Sequence, residues 1–301
     1  MERVEITTPP QAVEEAIQIT TNVPCSVNCS YCPQDTLTKA YFNENPYRES
    51  VLTLESFKAY IDTVPKKLKV MFSGFGEPMQ NKEIAAMFRY ATERGHLTFL
   101  STSLHGATLD DINEIYNTRL GSMHIHIDEK HLKNLHQDKE YIKIISTLYL
   151  YTQTNPDFMV IFTCMSDLPE QFHYLIGKRN IFVNQGPYHM ENRCGNLTGP
   201  NFEINYSHGD IKCCKTFDGY NLNRTVMLPD GTLVLCEMDY GMKHILGSLK
   251  TQSYEEILQS DASQRVRKAM SDEEIPLICR ECNLAVPKEL PPLLDHPEET
   301  Y

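Results

Sequence analysis

Short apolar runs and helix-patterned segments alternate along the first two thirds of this chain, and that alternation limits its fold more than any other feature. Strands joined through intervening helices are driven to lie parallel, because each crossover returns the chain to the same edge of the sheet. The run Ala16 to Thr21 (AIQITT) predicts the first strand. Thr53 is placed to cap a helix in which Leu54, Phe57, Tyr60, Ile61 and Val64 recur at helical spacing. Leu68 to Phe72 predicts a second strand ending in SGFGEP, and Asn81 a cap for KEIAAMFRYATER, which Gly95 closes. Further strands are expected at His96 to Leu100, Ser122 to Asp128, Phe158 to Thr163 and Ile181 to Asn184. Helices at Asp110 to Tyr116 and Glu140 to Tyr149 fall between them. Five or six such units describe an α/β chain built as a full or partial β/α barrel.

The rhythm changes after about residue 195. A turn-rich stretch, Gly195 to Asn205, leads to a hairpin signal: TVML, then Pro229-Asp230-Gly231, then TLVLC. Helices are expected at Tyr254 to Gln259 and Ala262 to Met270, ahead of CRECN. The reading is a first domain over 1–195, a small second domain over 196–288 organised around metal, and an acidic, Pro-rich tail over 289–301.

Ten cysteines in a chain of 301 residues need a reason. The opening MERVEITTPPQAVEEA has neither the basic start nor the apolar core of a secretory signal, so a cytoplasmic protein is expected. No apolar run approaches the roughly 18 to 20 residues that would span a bilayer, so no membrane partner is expected. In a reducing compartment, clustered cysteines point to metal or catalysis rather than to disulfides. The formal net charge of -12 argues against a general nucleic-acid binder, which depends on excess Lys and Arg.

Cys25, Cys29 and Cys32 form a C-x3-C-x2-C group in the loop after the first strand, at the carboxyl edge where such sheets place their chemistry. Three thiolates at this spacing can close on one face of a cubane iron–sulfur cluster and leave one iron free for a small molecule. Structural zinc prefers four closed ligands, and the next cysteine is as distant as Cys164. Later come Cys213 and Cys214, then Cys236, then Cys279 and Cys282. Four of these could close either a zinc site or a fully ligated cluster. A zinc-bearing binding module is therefore the non-enzyme reading of the second domain.

The first cysteine group, with Tyr31 before its last cysteine, resembles the defining motif of the radical S-adenosylmethionine enzymes. The turn Ser73 to Pro78, carrying Gly74, Gly76 and Glu77, is similar to that family's cofactor-binding Gly-Glu turn. The resemblance implies a partial (β/α)6 TIM-like barrel holding one [4Fe-4S] cluster, whose open iron chelates S-adenosylmethionine. It implies reductive cleavage of that cofactor and removal of a substrate hydrogen atom, with the electron supplied by a donor such as flavodoxin or ferredoxin. Ser103 and His126 stand where relatives contact the cofactor, although the family's Asn-Gly turn and serine are replaced there. Glu77 would pair with the methionine ammonium.

The segments PDGTLVLCEMD, ILGSL and LICRECN, with ENRCGNL ahead of them, resemble a twitch domain, the shortened SPASM domain that holds a second, auxiliary [4Fe-4S] cluster. Cys213 or Cys214, with Cys236, Cys279 and Cys282, would be its ligands, and Phe217 favours Cys213. Relatives similar to the 2-deoxy-scyllo-inosamine dehydrogenases imply an oxidoreductase acting on a hydroxyl of a small carbohydrate or cyclitol. Epimerisation is the alternative, with Cys194, Cys164 or the spare member of the Cys213 and Cys214 pair returning hydrogen. Peptide maturation is a third option, disfavoured by the short segment before Cys25. His189, Glu191 and Arg193 are candidate substrate contacts; His124, His131 and His136 are read as ordinary polar residues.

Overall fold

The computed structural model describes residues 16–27, 29, 31–43, 45–118, 120–127, 137–164, 167–185, 192–197, 206–213 and 224–288. Cys214, Phe217, His131, His136, His189, Glu191 and the expected tail lie outside the described residues.

Six parallel strands follow in sequence order: β1 (Ala16–Ile19), β2 (Lys69–Phe72), β3 (Thr98–Thr102), β4 (Leu120–His126), β5 (Met159–Cys164) and β6 (Ile181–Gln185). Their helices are α1 (Gln34–Asn43), α2 (Leu54–Ile61), α3 (Ile84–Glu93), α4 (Leu109–Tyr116) and α5 (Lys139–Thr154). The barrel stays open, because β6 ends the sheet while β1 is occupied on both sides. Its second neighbour is β8 (Arg224–Met227), which pairs parallel to β1 with Gln18 beside Val226. From β8 the sheet continues antiparallel through β9 (Thr232–Val234) and β10 (Ile245–Ser248). The expected hairpin therefore extends the main sheet to nine strands, and that sheet runs on across residue 195. A separate two-stranded ribbon pairs β7 (Ile211–Cys213) with β11 (Ala285–Pro287). Helices α6 (Tyr254–Gln259) and α7 (Asp261–Ala269) lie in sequence between its two strands.

The strand faces follow the period of two. Ile17, Val70, Phe72, Met123, Ile125, Val160 and Phe162 are all fully buried in one cluster with Phe57, Phe88 and Ile112 of the helices. The opposite face, turned into the barrel, carries Gln18, Met71, Ser101, His124, His126 and Thr163. Phe99 and Ile161 share that inner face, which is mixed where the outer one is apolar.

Caps explain most helix starts. Thr53 accepts the Ser56 N–H at 3.1 Å, and Thr108 and Asp111 form a capping box. Asn81 stands two residues ahead of the cap position of α3, which Glu83 occupies: its Oδ1 accepts the Glu83 N–H at 2.9 Å and its carbonyl the Ile84 N–H at 3.1 Å, while its amide donates to Thr21 O and Leu52 O. Helix α5 runs past the expected Tyr149 because its buried stripe continues through Leu148 and Thr152, until Asn155-Pro156 ends it. Among the described residues no helix is long and apolar enough to cross a membrane.

Candidate active site

The cysteine loop leaves β1 at Thr20 and is held by side-chain amides. Gln34, at the start of α1, accepts the Cys25 N–H at 3.2 Å and donates to Phe75 O at 2.5 Å and to Cys32 Sγ at 3.2 Å. Gln80 donates to Ser26 Oγ at 2.5 Å and accepts from Asn22 at 3.2 Å. Cys25, Cys29 and Cys32 are half-buried, and Tyr31 is half-buried in the turn between the last two. Burial, with smaller contributions from Glu77 and Cys32, pushes the Cys25 thiol up to about 11, so a metal bound there must displace its proton.

Glycine decides how closely the second loop approaches. Gly74 has φ +61, and a Cβ there would lie 2.3 Å from Thr20 Oγ1; one on Gly76 would lie 2.6 Å from Asn22 O. These glycines bring the β2 turn against the loop after β1, a tighter purpose than the open cofactor approach expected of them. Glu77 is also committed within the chain. Its carboxylate accepts the Met79 N–H at 3.0 Å, the Thr102 hydroxyl, and the N–H and hydroxyl of Ser103, both at 2.7 Å. Burial pushes its pKa up and those four donors pull it down. Glu77 and Ser103 thus form one buried bracket tying the β2 and β3 turns together, with four donors already on the four lone-pair sites of the carboxylate.

Deeper in the barrel, His124 and His126 stack with ring centroids 4.7 Å apart, and His124 Nε2 meets Thr163 Oγ1. Accessible only to the barrel interior, both are held neutral: burial lowers His124 to about 3 and His126 to about 4. Its neighbour His126 adds to the first shift, and the Arg193 guanidinium to the second. Across the sheet, Gln18 donates to Glu237 and accepts from Ser73 Oγ at 2.9 Å.

Glu237 also lines a second, small cavity of about 30 Å³, together with Cys194, Cys213, Cys236, Cys279 and Cys282. Cys213 ends β7, Cys236 follows β9, and Cys279 and Cys282 bracket the 3-10 turn Ile278–Glu281. Arg280 inside that turn is 1% exposed and donates to Ser207 O and Gly209 O at 3.0 Å and to Ala269 O at 2.8 Å. The Nε atoms of Arg280 and of cavity-lining Arg224 are buried without an acceptor. Five cysteines, four of them the expected ligands, with the Arg224 guanidinium beside them suit an anionic, thiolate-bound cluster, because soft thiolates favour Fe–S centres and a nearby cation offsets negative charge. Among the described residues no three His, Cys, Asp or Glu side chains converge closely enough to hold a single metal ion.

The comparisons with known proteins agree with this donor set. Residues 213–283 match SPASM, an iron–sulfur cluster-binding domain. This chain carries a SPASM domain. No curated protein sequence matches the chain. Among solved structures it is similar to BtrN in complex with AdoMet and 2-DOIA, at 15% identity and a TM-score of 0.57, over 90% of this chain and 93% of that one. SuiB of Streptococcus suis bound to precursor peptide SuiA aligns at 10% identity and a TM-score of 0.55, over 90% of this chain and 70% of that one. At these identities the likeness is one of fold alone, and it spans the partial barrel as well as the SPASM-matched segment.

The sequence left several of these residues unread. Gln34 sits two positions after Cys32 and could have been noticed as the first residue of a helix the apolar pattern missed, since only Leu37 and Tyr41 mark α1 as buried. Gln80 and Arg280 carry no motif. Cys194 faces the second cavity, where Cys282 interacts with its thiol, and Cys164 is buried with Val160 and Phe162 on the helix side of β5.

Proposed function

We propose that this chain is a radical S-adenosylmethionine oxidoreductase that removes hydrogen from a hydroxyl-bearing carbon of a small, uncharged polar substrate. The observation that carries the reading is the pairing of two cysteine sites: a half-buried three-thiol loop at the barrel rim, and a pocket lined by half-buried Cys213 and Cys236 with buried Cys279 and Cys282. When bound, the first cluster and S-adenosylmethionine supply a radical that takes a hydrogen atom, and the second cluster can accept an electron. Cys25, Cys29 and Cys32 hold the first group, with Gln34 and Gln80 fixing their loop. Glu77, Ser103 and the two glycines set the distance between the β1 and β2 loops. His124 and His126 present neutral imidazoles to the interior, which suit hydroxyl groups better than charged ones.

A carbohydrate or cyclitol substrate is supported by that lining and by the fold shared with BtrN, seen with 2-DOIA. Oxidation is favoured over thiol-assisted epimerisation because Cys164 is buried on the helix side of β5 and Cys194 lines the second cavity beside Cys282, while Cys214, the remaining candidate donor, lies outside the described residues. The test is anaerobic reconstitution followed by turnover with candidate sugars and cyclitols in deuterated water. Iron and sulfide for about two cubanes, cleavage of S-adenosylmethionine, and a product two hydrogens lighter are expected. Zinc without iron would defeat the enzyme reading; a product of unchanged mass class carrying solvent deuterium would replace oxidation with epimerisation.

A further inference from the structure

Tyr240 belongs to the SPASM-matched part of the chain, yet its hydroxyl lies 3.1 Å from Cys32 Sγ in the N-terminal loop. The turn that delivers it is tightly built. The buried Asp239 carboxylate accepts the N–H groups of Lys243 and His244, both at 2.8 Å. Asp239 N–H bonds to Cys236 O at 3.1 Å, and Met242 N–H to Asp239 O at 3.0 Å. The Tyr240 ring is 4% exposed and stands edge-on to Phe75, with centroids 4.7 Å apart. Val23, Leu37, Val226 and Val234 complete a small core that Cys32 packs against. Cys236, a wall of the second cavity, lies in this same turn.

We propose that Tyr240 donates a hydrogen bond to the Cys32 thiolate when the three N-terminal cysteines hold a cluster, so that the C-terminal domain sets the first cluster's reduction potential. The proposal rests on the reading of Cys25, Cys29 and Cys32 given above. Its direction is fixed by the groups: a phenol has one proton to give, and a ligated thiolate has none. Reduction adds negative charge, part of it on the sulfurs, and a donor aimed at one of them favours the reduced state. Burial strengthens the effect, because little water competes in a low-dielectric site. Gln34 Nε2, at 3.2 Å, is a donor from the loop's own helix, whereas Tyr240 arrives from the other half of the chain. Tyr240 is thus a positioning and tuning residue, and the docking of the 236–244 turn is felt at the first cluster.

The test is a redox titration of the full, anaerobically reconstituted chain followed by electron paramagnetic resonance. The variant with Cys25, Cys29 and Cys32 all changed to alanine shows which signal belongs to the first cluster. Tyr240→Phe, which keeps the ring, is expected to move that signal's midpoint to more negative potential. A chain with 3-fluorotyrosine at position 240 alone, a more acidic donor, is expected to move it the opposite way. The second cluster's midpoint should stay in place in both. Opposite shifts from two rings of nearly equal shape would not arise from packing. Unmoved midpoints in both proteins overturn the proposal. Should Tyr240→Phe fail to load the first cluster, the fluorinated protein decides alone, and no positive shift there overturns it. A wild-type chain that loads nothing on the three cysteines overturns the reading of the site as well, which separates the two failures.

Discussion

The two cysteine sites of this molecule are built on opposite plans. Cys25, Cys29 and Cys32 sit half-buried on a loop braced by the side chains of Gln34 and Gln80, so the sulfurs are placed without being walled in. Cys213, Cys236, Cys279 and Cys282 line a cavity framed by a β-ribbon, a strand end and a turn that buries Arg280. A site that must admit a small molecule has an open side and a polar scaffold. On the proposed reading, a site that passes electrons needs no opening for substrate, and the Arg224 guanidinium beside the thiols would offset part of a cluster's negative charge.

The largest effect should come from separating these plans by mutation. Cys32→Ala is expected to abolish cleavage of S-adenosylmethionine while leaving the second cluster's iron in place. Cys236→Ala should do the reverse, losing the second cluster and the oxidised product while cleavage persists. Iron content and 5′-deoxyadenosine formation, measured on the same preparations, check both. If either single substitution removed both clusters, the two sites would be one structural unit and the contrast drawn here would fail.

Next in size is the contact between the first two loops. Gly74→Ala forces a Cβ to 2.3 Å from Thr20 Oγ1 at a backbone of φ +61. Strain at such a position costs roughly 1 to 3 kcal/mol. Lower thermal stability and weaker cofactor cleavage are expected together, and an unchanged melting temperature would show that the loops need not touch.

The second site has its own structural pin. Arg280→Met removes the donors to Ser207 O, Gly209 O and Ala269 O and leaves the buried Ala269 carbonyl short of a partner, while water can reach the other two. A loss of about 1 to 3 kcal/mol for the carbonyl left bare bounds the effect from above, since the turn can relax. Chemical denaturation of the reconstituted chain, with iron release followed alongside, should show the second cluster leaving first.

What the sequence made legible divides along the same line. The strand and helix alternation, the hairpin at Asp230-Gly231 and the cysteine groups are local patterns, and β1 to β6 with β8 and β9 follow them, whereas β10 had no such signal. Helix α1 was missed because its buried stripe is thin, and β7 and β11 because three-residue strands carry too little periodicity to be seen. That β8 joins β1, so that the hairpin continues the barrel sheet, is a long-range pairing that no local pattern encodes. The internal partners of Glu77 were equally hidden: its neighbourhood predicts a turn, but Thr102 and Ser103 reach it only after the third strand is in place. Cys194 is set beside Cys282 by the fold alone, as its sequence context gave only a resemblance to a barrel-ending segment.

The smallest expected effect lies between the two sites, on the inner face of the barrel. His124 and His126 are depressed by burial to about 3 and about 4, below the ordinary histidine value of 6.5. The unfolded chain therefore binds more protons than the folded one below that ordinary value, and stability must fall as pH is lowered from about 6.5 toward the folded values. The slope is at most about 1.4 kcal/mol per pH unit for each ring, and repulsion between the stacked rings, by keeping the folded chain from binding the second proton, extends it to lower pH. The groups facing them are Thr163, which does not titrate in this range, and Arg193, whose fixed positive charge opposes protonation in the same direction as burial. Thermal melts of the wild type and of a His124→Gln, His126→Gln chain between pH 7 and pH 5 check this, with a flatter profile expected for the double variant. Equal slopes would mean that water reaches the rings, and that the inner face is less shielded than the second cavity it adjoins.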